Sequence, residues 1–113
     1  MAKRDLLKEA DLRSRLERLD AEQGEAGAAV AIAHAAYQPF AHAFAAADTR
    51  LRTLWEDRWA GVEVGKPEML AAYTARTIAS GNRGPHKKRL EEAAGWLDRV
   101  RRELAIITKE LGT

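Results

Sequence analysis

The chain contains no cysteine. This absence excludes disulfide bonds, thiolate zinc sites and cysteine nucleophiles, and it fits a reducing compartment, so we expect a cytoplasmic protein. Only three prolines and eight glycines stand among the 113 residues, which leaves long stretches without a helix-breaking residue. Two independent cores would each be too small for a chain of this length. We therefore expect a single domain over residues 1–113.

Neither sign of charge dominates. Nineteen Lys and Arg stand against seventeen Asp and Glu, and the net charge of +2 is too small to indicate nucleic-acid binding by itself. The first twenty residues are charged throughout and lack the apolar core of a secretory signal. The longest uncharged run, residues 26–47, consists mostly of alanine and includes two histidines, a composition that disfavours membrane insertion. We expect no membrane association.

Motifs of catalysis are also missing. Neither Ser14 nor Ser80 lies in a nucleophile elbow, and the sequence has no HExxH pair and no glycine-rich dinucleotide turn. The acidic pairs at 56–57 and 91–92 lie among basic residues, as is typical of solvated helix faces. We therefore expect a non-enzymatic protein with no cofactor, no catalytic residue and no metal ligand.

Strong helix formers, namely Ala, Leu, Arg and Glu, fill the stretches between the glycines and prolines. The breaks predict helices at about 4–23, 25–60, 67–80 and 85–111. Pro67 and Pro85 each suit the first turn of a helix, where no N–H is needed. Pro39 lies inside the second helix, where we expect a kink.

Apolar residues recur at alternating spacings of three and four, which is the pattern of a coiled-coil seam. The seam of the last helix comprises Leu90, Ala93, Leu97, Val100, Leu104, Ile107 and Leu111. The same spacing from Leu12 to Leu54 meets apolar residues at twelve of thirteen positions, Gln23 being the exception. Because this spacing continues unbroken through Gly24 and Gly27, the first two predicted helices are either one continuous helix or two helices in phase. The patterns predict an all-α, elongated bundle of three to four helices built on a long antiparallel helical hairpin.

Sustained heptads on a small chain favour a seam shared between chains, so we expect a homo-oligomer, a dimer or higher, although one antiparallel hairpin would satisfy both seams internally. Alanines around Pro39 allow another helix to approach closely, within the chain or between chains. The candidate residues of a protein-interaction seam are Leu90, Leu97, Val100, Leu104, Ile107, Trp55 and Trp59. For the two tryptophans, the alternative is that they cap the end of the bundle.

The strongest charge segregation lies between Met69 and Leu90, where five basic residues occur without an acidic one. The candidate residues of an anion-binding or nucleic-acid-binding site are Arg76, Arg83, His86, Lys87, Lys88 and Arg89. A glycine loop at 81–85 followed by a helix N-terminus would offer free N–H groups to a phosphate or carboxylate. The alternative is that these cations cap the C-terminus of the preceding helix.

His34, Gln38 and His42 are spaced four apart and form a polar stripe on one helix face. The two histidines lie about 12 Å apart along the axis and cannot share one metal ion. The stripe is therefore interpreted as interhelical hydrogen bonding or a wet groove, with a metal site or pH switch as the alternative.

Two functions follow from these patterns. The first is a helical interaction or assembly protein that associates with itself and with a protein partner through helix packing. The alternative is a small, dimeric nucleic-acid-binding protein that holds phosphates through the basic residues at 81–89.

Overall fold

The computed structural model describes residues 6–112, and within this range it contains two helices and no strand. Helix α1 spans Leu6–Trp59 and helix α2 spans Lys66–Gly112. The all-α class and the antiparallel helical hairpin are thus confirmed, but the described chain has two helices where three to four were predicted. The first two predicted helices are one continuous helix that passes through Gly24, Gly27 and Pro39.

The turn between the helices is closed by a Schellman motif, in which a left-handed residue lets backbone N–H groups return to the last helical carbonyls. Gly61 supplies the left-handed conformation, with φ of 87°. Its N–H donates to the Arg58 carbonyl at 3.2 Å, and the Val62 N–H donates to the Asp57 carbonyl at 2.8 Å. Helix α2 begins just after Gly65, whose carbonyl accepts the N–H of Met69 at 3.1 Å. The predicted break at 61–67 is therefore confirmed.

The predicted break at 81–85 is wrong, because α2 continues through Gly81, Gly84 and Pro85. Pro85 has no N–H to give to the Gly81 carbonyl, which weakens the helix locally. Gly84 has no Cβ to clash with the proline ring, so it tolerates helical backbone before a proline better than other residues do. Packing of α2 against α1 on both sides of this point keeps the helix continuous.

The first of two compact units contains the described residues up to Ile32 together with those from Glu91 onwards. Its buried core consists of Leu12, Leu19, Val100 and Ile107, and Leu16, Trp96, Leu104 and Leu111 pack against that core. A hydrogen bond of 2.8 Å from the Trp96 indole Nε1 to Glu22 Oε1 joins the two helices beside it. The predicted seams of α1 and α2 therefore meet here within one chain.

The second unit, residues 33–90, contains the turn. Its buried core consists of Leu51, Leu54, Met69 and Ala72, and Trp55 and Val64 pack against it. Arg76 of α2 forms an ion pair with Asp48 of α1 at 2.8 Å, and Arg50 forms one with Glu68 at 3.6 Å. Both pairs join the helices across the seam.

The heptad spacing of α2 extends further than its apolar residues indicated. Positions at alternating steps of three and four are all buried or half-buried from Met69 to Leu111. This series places Arg76, Arg83 and His86 in the seam, and it continues through the break that the sequence predicted at 81–85. On α1, the thirteen predicted positions from Leu12 to Leu54 are likewise buried or half-buried, Gln23 included.

Candidate functional site

The six basic candidates of α2 divide into two groups according to the face that they occupy. Arg76, Arg83 and His86 are half-buried on the seam, whereas the three residues at 87–89 are exposed. All six lie inside the helix rather than in a loop, so most of their backbone N–H groups are used in helical hydrogen bonds. The predicted corner, a glycine loop ahead of a helix N-terminus, is therefore absent.

The seam cations rest on aromatic rings of α1. The guanidinium carbon of Arg83 lies 3.9 Å from the centroid of the Phe44 ring, and that of Arg76 lies 5.3 Å from it. The imidazole of His86 stacks on Phe40, with ring centroids 4.2 Å apart and planes inclined by 10°. Cation–π attraction thus holds both arginines in a partly dehydrated seam.

Asp48 is the carboxylate that meets this cationic seam. It accepts hydrogen bonds from Arg76 Nε at 2.8 Å and from an Arg52 guanidinium nitrogen at 2.9 Å. The Arg76 bond, followed by the Arg52 bond, lowers the pKa of Asp48 below its usual value of 3.8. The carboxylate therefore stays ionised at neutral pH and links the helices.

Two nitrogen atoms of this seam have no hydrogen-bond partner among the described residues, namely Arg83 Nε and His86 Nδ1. Both atoms are buried, and unpaired buried polar atoms destabilise a fold. These two unpaired atoms therefore lower the stability that the seam contributes.

A second group of side chains lies beside the turn. The indole of Trp55 stacks on that of Trp59 with centroids 5.7 Å apart, and it meets the Tyr73 ring edge-on at 6.3 Å. Its Nε1 donates to the Tyr73 hydroxyl at 3.0 Å. Trp55 is half-buried on the core, whereas Trp59 is 77% exposed.

Other apolar side chains around the turn are exposed as well. Leu70, one helical turn before Tyr73, is 68% exposed, and Val62 in the turn is 54% exposed. We call this group of side chains the turn patch. It consists of Trp55, Trp59, Val62, Leu70 and Tyr73.

The candidate seam residues of the last predicted helix pack inside the chain. Val100 and Ile107 are buried, and Leu90, Leu97 and Leu104 are half-buried. The internal hairpin, which the sequence allowed as an alternative to a shared seam, is the arrangement observed. These side chains are therefore not free to meet another chain while the hairpin is closed.

The polar stripe of α1 points to solvent. His34, Gln38 and His42 are all exposed, so the predicted interhelical hydrogen bonds are not formed within the hairpin. Across residues 6–112, no three His, Asp or Glu side chains are grouped so that they could hold a metal ion. Neither described helix has an apolar stretch that would cross a membrane.

Comparison with other proteins gives no relative: no protein-family model, no curated protein and no solved structure matches the chain. Its own residues are therefore the basis for inferring its function.

Proposed function

We propose that this chain is a non-enzymatic, cytoplasmic helical assembly protein, which associates with itself and binds a protein partner through helix packing. The observation that carries the proposal is the number of hydrophobic residues that stay exposed, compared with the number that are buried. Within residues 6–112, nine hydrophobic residues are buried, and nine large hydrophobic residues are exposed. No large side chain in that range is completely buried. Further burial of apolar surface would therefore stabilise the protein.

The outer face of α1 offers a surface for such packing. Within the first unit, Ala28 and Ala31 are exposed on it, and Ile32 is 72% exposed beside them. Small side chains permit close approach of another helix, and an isoleucine among them adds apolar area. This face remains exposed within the single chain.

Sedimentation or light scattering over a range of protein concentrations tests self-association. We expect the mean mass to rise with concentration, and Ile32→Glu to shift this rise to higher concentration. Thr108→Glu, which adds the same charge at an exposed site of α2, is the matched control. A mass equal to one chain at every concentration would overturn self-association.

Nucleic-acid binding is the second candidate function. Lys87, Lys88 and Arg89 are exposed and form no ion pair within the described residues, so they are accessible to phosphates. Binding to duplex DNA should then weaken with salt, with a slope of about −0.9 per neutralised phosphate. Replacing the three residues with alanine should abolish the binding and leave the helix content unchanged. Lack of affinity at low salt would exclude this candidate.

A further inference from the structure

We infer that the turn patch docks a basic amphipathic helix of a protein partner. This inference rests on the proposed function, since it names the surface and the chemistry of the partner that the hairpin would bind. Four observations carry it: the fixed aromatic rings, the exposed apolar side chains, the net negative charge around the patch, and three acidic side chains there that form no ion pair within the described residues.

The rings of the turn patch are held in place before any partner arrives. The Trp55 indole is fixed by its hydrogen bond of 3.0 Å to the Tyr73 hydroxyl and by packing on the core of the second unit. Trp59 stacks on this fixed ring at 5.7 Å and remains 77% exposed. An exposed tryptophan on a rigid support loses little conformational freedom on binding, which is why such residues dominate binding energies.

The exposed apolar area fits the centre of an interface with a modest partner. Trp59, Val62, Leu70 and Tyr73 are four of the nine large hydrophobic residues that are exposed within residues 6–112. A standard interface buries about 800 Å² per partner, of which the apolar centre is a part. One helix lying across the patch, with a polar rim around it, would account for this area.

The charge around the turn patch favours a basic partner over a second copy of this chain. Residues 56–68 contain four acidic and two basic residues, a net charge of −2, on a chain whose total is +2. Of the two cations, Arg58 lies over the Trp55 ring, 5.6 Å from its centroid. A second copy of the patch would bring like charges together, whereas a basic partner would be attracted.

The acidic side chains around the turn are also available. Glu68 pairs with Arg50 at 3.6 Å, but Glu56, Asp57 and Glu63 form no ion pair within the described residues. A helix with apolar residues on one face and lysines beside them would place its apolar face on the rings and its cations near these carboxylates. Helices bind grooves and patches of this kind through anchors spaced three and four apart.

The test uses the full chain and two synthetic amphipathic helices, identical except that one carries lysine and the other glutamate on the polar face. Tryptophan fluorescence and calorimetry give the affinities. We expect the lysine peptide to bind the chain and the glutamate peptide to bind at least about tenfold more weakly. Trp59→Ala and Leu70→Ala should each lower the affinity for the lysine peptide by about tenfold or more. Ile106→Ala, at a site 58% exposed in the first unit, is the control and should leave the affinity unchanged.

Far-ultraviolet circular dichroism of each variant establishes that the hairpin is folded. Equal affinity for both peptides, or binding of the lysine peptide that survives both patch variants, would overturn the inference. The mass of each variant is measured on the same samples. If the unmodified chain does not bind the lysine peptide while its mass still rises with concentration, the docking surface is overturned and self-association is not. A rise of mass that disappears in Trp59→Ala, without peptide binding, would assign the patch to a second copy and overturn the basic partner.

Discussion

At the scale of single residues, Asp48 has a defined pH dependence. Its two arginine partners hold its pKa in the folded chain below the usual value of 3.8. A carboxyl group with a lowered folded pKa stabilises the fold above its unfolded pKa, and this contribution is lost as the pH falls through the folded value. The bond to Arg76 joins α1 to α2, so this loss weakens the hairpin.

We therefore expect Asp48→Asn to lower the melting temperature at pH 7. The effect should shrink as the pH falls below 3.8, because the contribution of the ionised carboxyl group declines there and is lost as the pH passes its lower folded pKa. Circular dichroism melts at a series of pH values measure the difference. Asp98→Asn is the control, because Asp98 pairs with Arg102 of its own helix on an exposed face. Equal melting temperatures of Asp48→Asn and wild type at pH 7 would contradict a stabilising role for the ion pair.

Two adjacent isoleucines of α2 provide a direct test of the seam. Ile107 is 2% exposed and Ile106 is 58% exposed. Ile107→Ala should lower the free energy of unfolding by about 2–5 kcal/mol, because it removes buried methyl groups and leaves a cavity. Ile106→Ala should change it by less than about 0.5 kcal/mol. Chemical denaturation measures both, and similar losses would show that the seam is assigned to the wrong face.

The residues that could be predicted from sequence are the apolar ones. Val100, Leu104 and Ile107 were placed on a seam by their spacing alone. Arg83 and His86 could not be assigned to the seam, because a polar residue at a heptad position is indistinguishable in sequence from the end of the heptad. Their partners, Phe44 and Phe40, lie far away along the chain, and only the fold brings the rings together.

At the scale of elements, replacing a glycine with alanine should change stability in opposite directions, depending on whether the glycine has a helical or a left-handed backbone. Gly81 lies inside α2, and a Cβ there would meet no atom within 4 Å. Gly81→Ala should raise the free energy of unfolding by about 0.5–1 kcal/mol, because alanine favours helical backbone. Gly61 has φ of 87°, so Gly61→Ala should lower it by about 1–2 kcal/mol.

Denaturant titrations of the two variants measure these changes. Pro85→Ala is a further check, since it restores a backbone N–H that can donate to the Gly81 carbonyl and should also stabilise α2. A loss of stability in Gly81→Ala comparable to that in Gly61→Ala would indicate a loop at 81–85, as the sequence suggested, and would contradict the continuous helix.

The all-α class of the chain was easier to predict from sequence than the number of its helices. The glycines and proline at 61–67 and those at 81–85 look alike in sequence, yet only the first group forms a turn. Local propensity could not separate them, because the outcome at 81–85 depends on packing of α2 against α1 on both sides of Pro85. Gly84 lowers the steric cost of that proline, so tertiary contacts decide the conformation.

At the scale of the whole molecule, self-association links thermal stability to concentration. A folded state that associates is stabilised by mass action, whereas the unfolded state is not. We expect the melting temperature to rise with protein concentration, and to rise less for Ile32→Glu than for Thr108→Glu. Scanning calorimetry over the concentrations used for sedimentation measures this dependence. A melting temperature that is independent of concentration would contradict the proposed assembly.

The separation of paired residues along the chain has a consequence for folding. It is 18 residues for Trp55 and Tyr73, 28 for Asp48 and Arg76, and 74 for Glu22 and Trp96. Closing the longest of these loops costs about 1.3 kcal/mol more in chain entropy than closing the shortest. The contacts of the hairpin are therefore expected to form first beside the turn at Gly61 and later at residues farther from it. During synthesis, the described part of α1 up to Ile32 would remain without its packing partners until the residues from Glu91 onwards had been made.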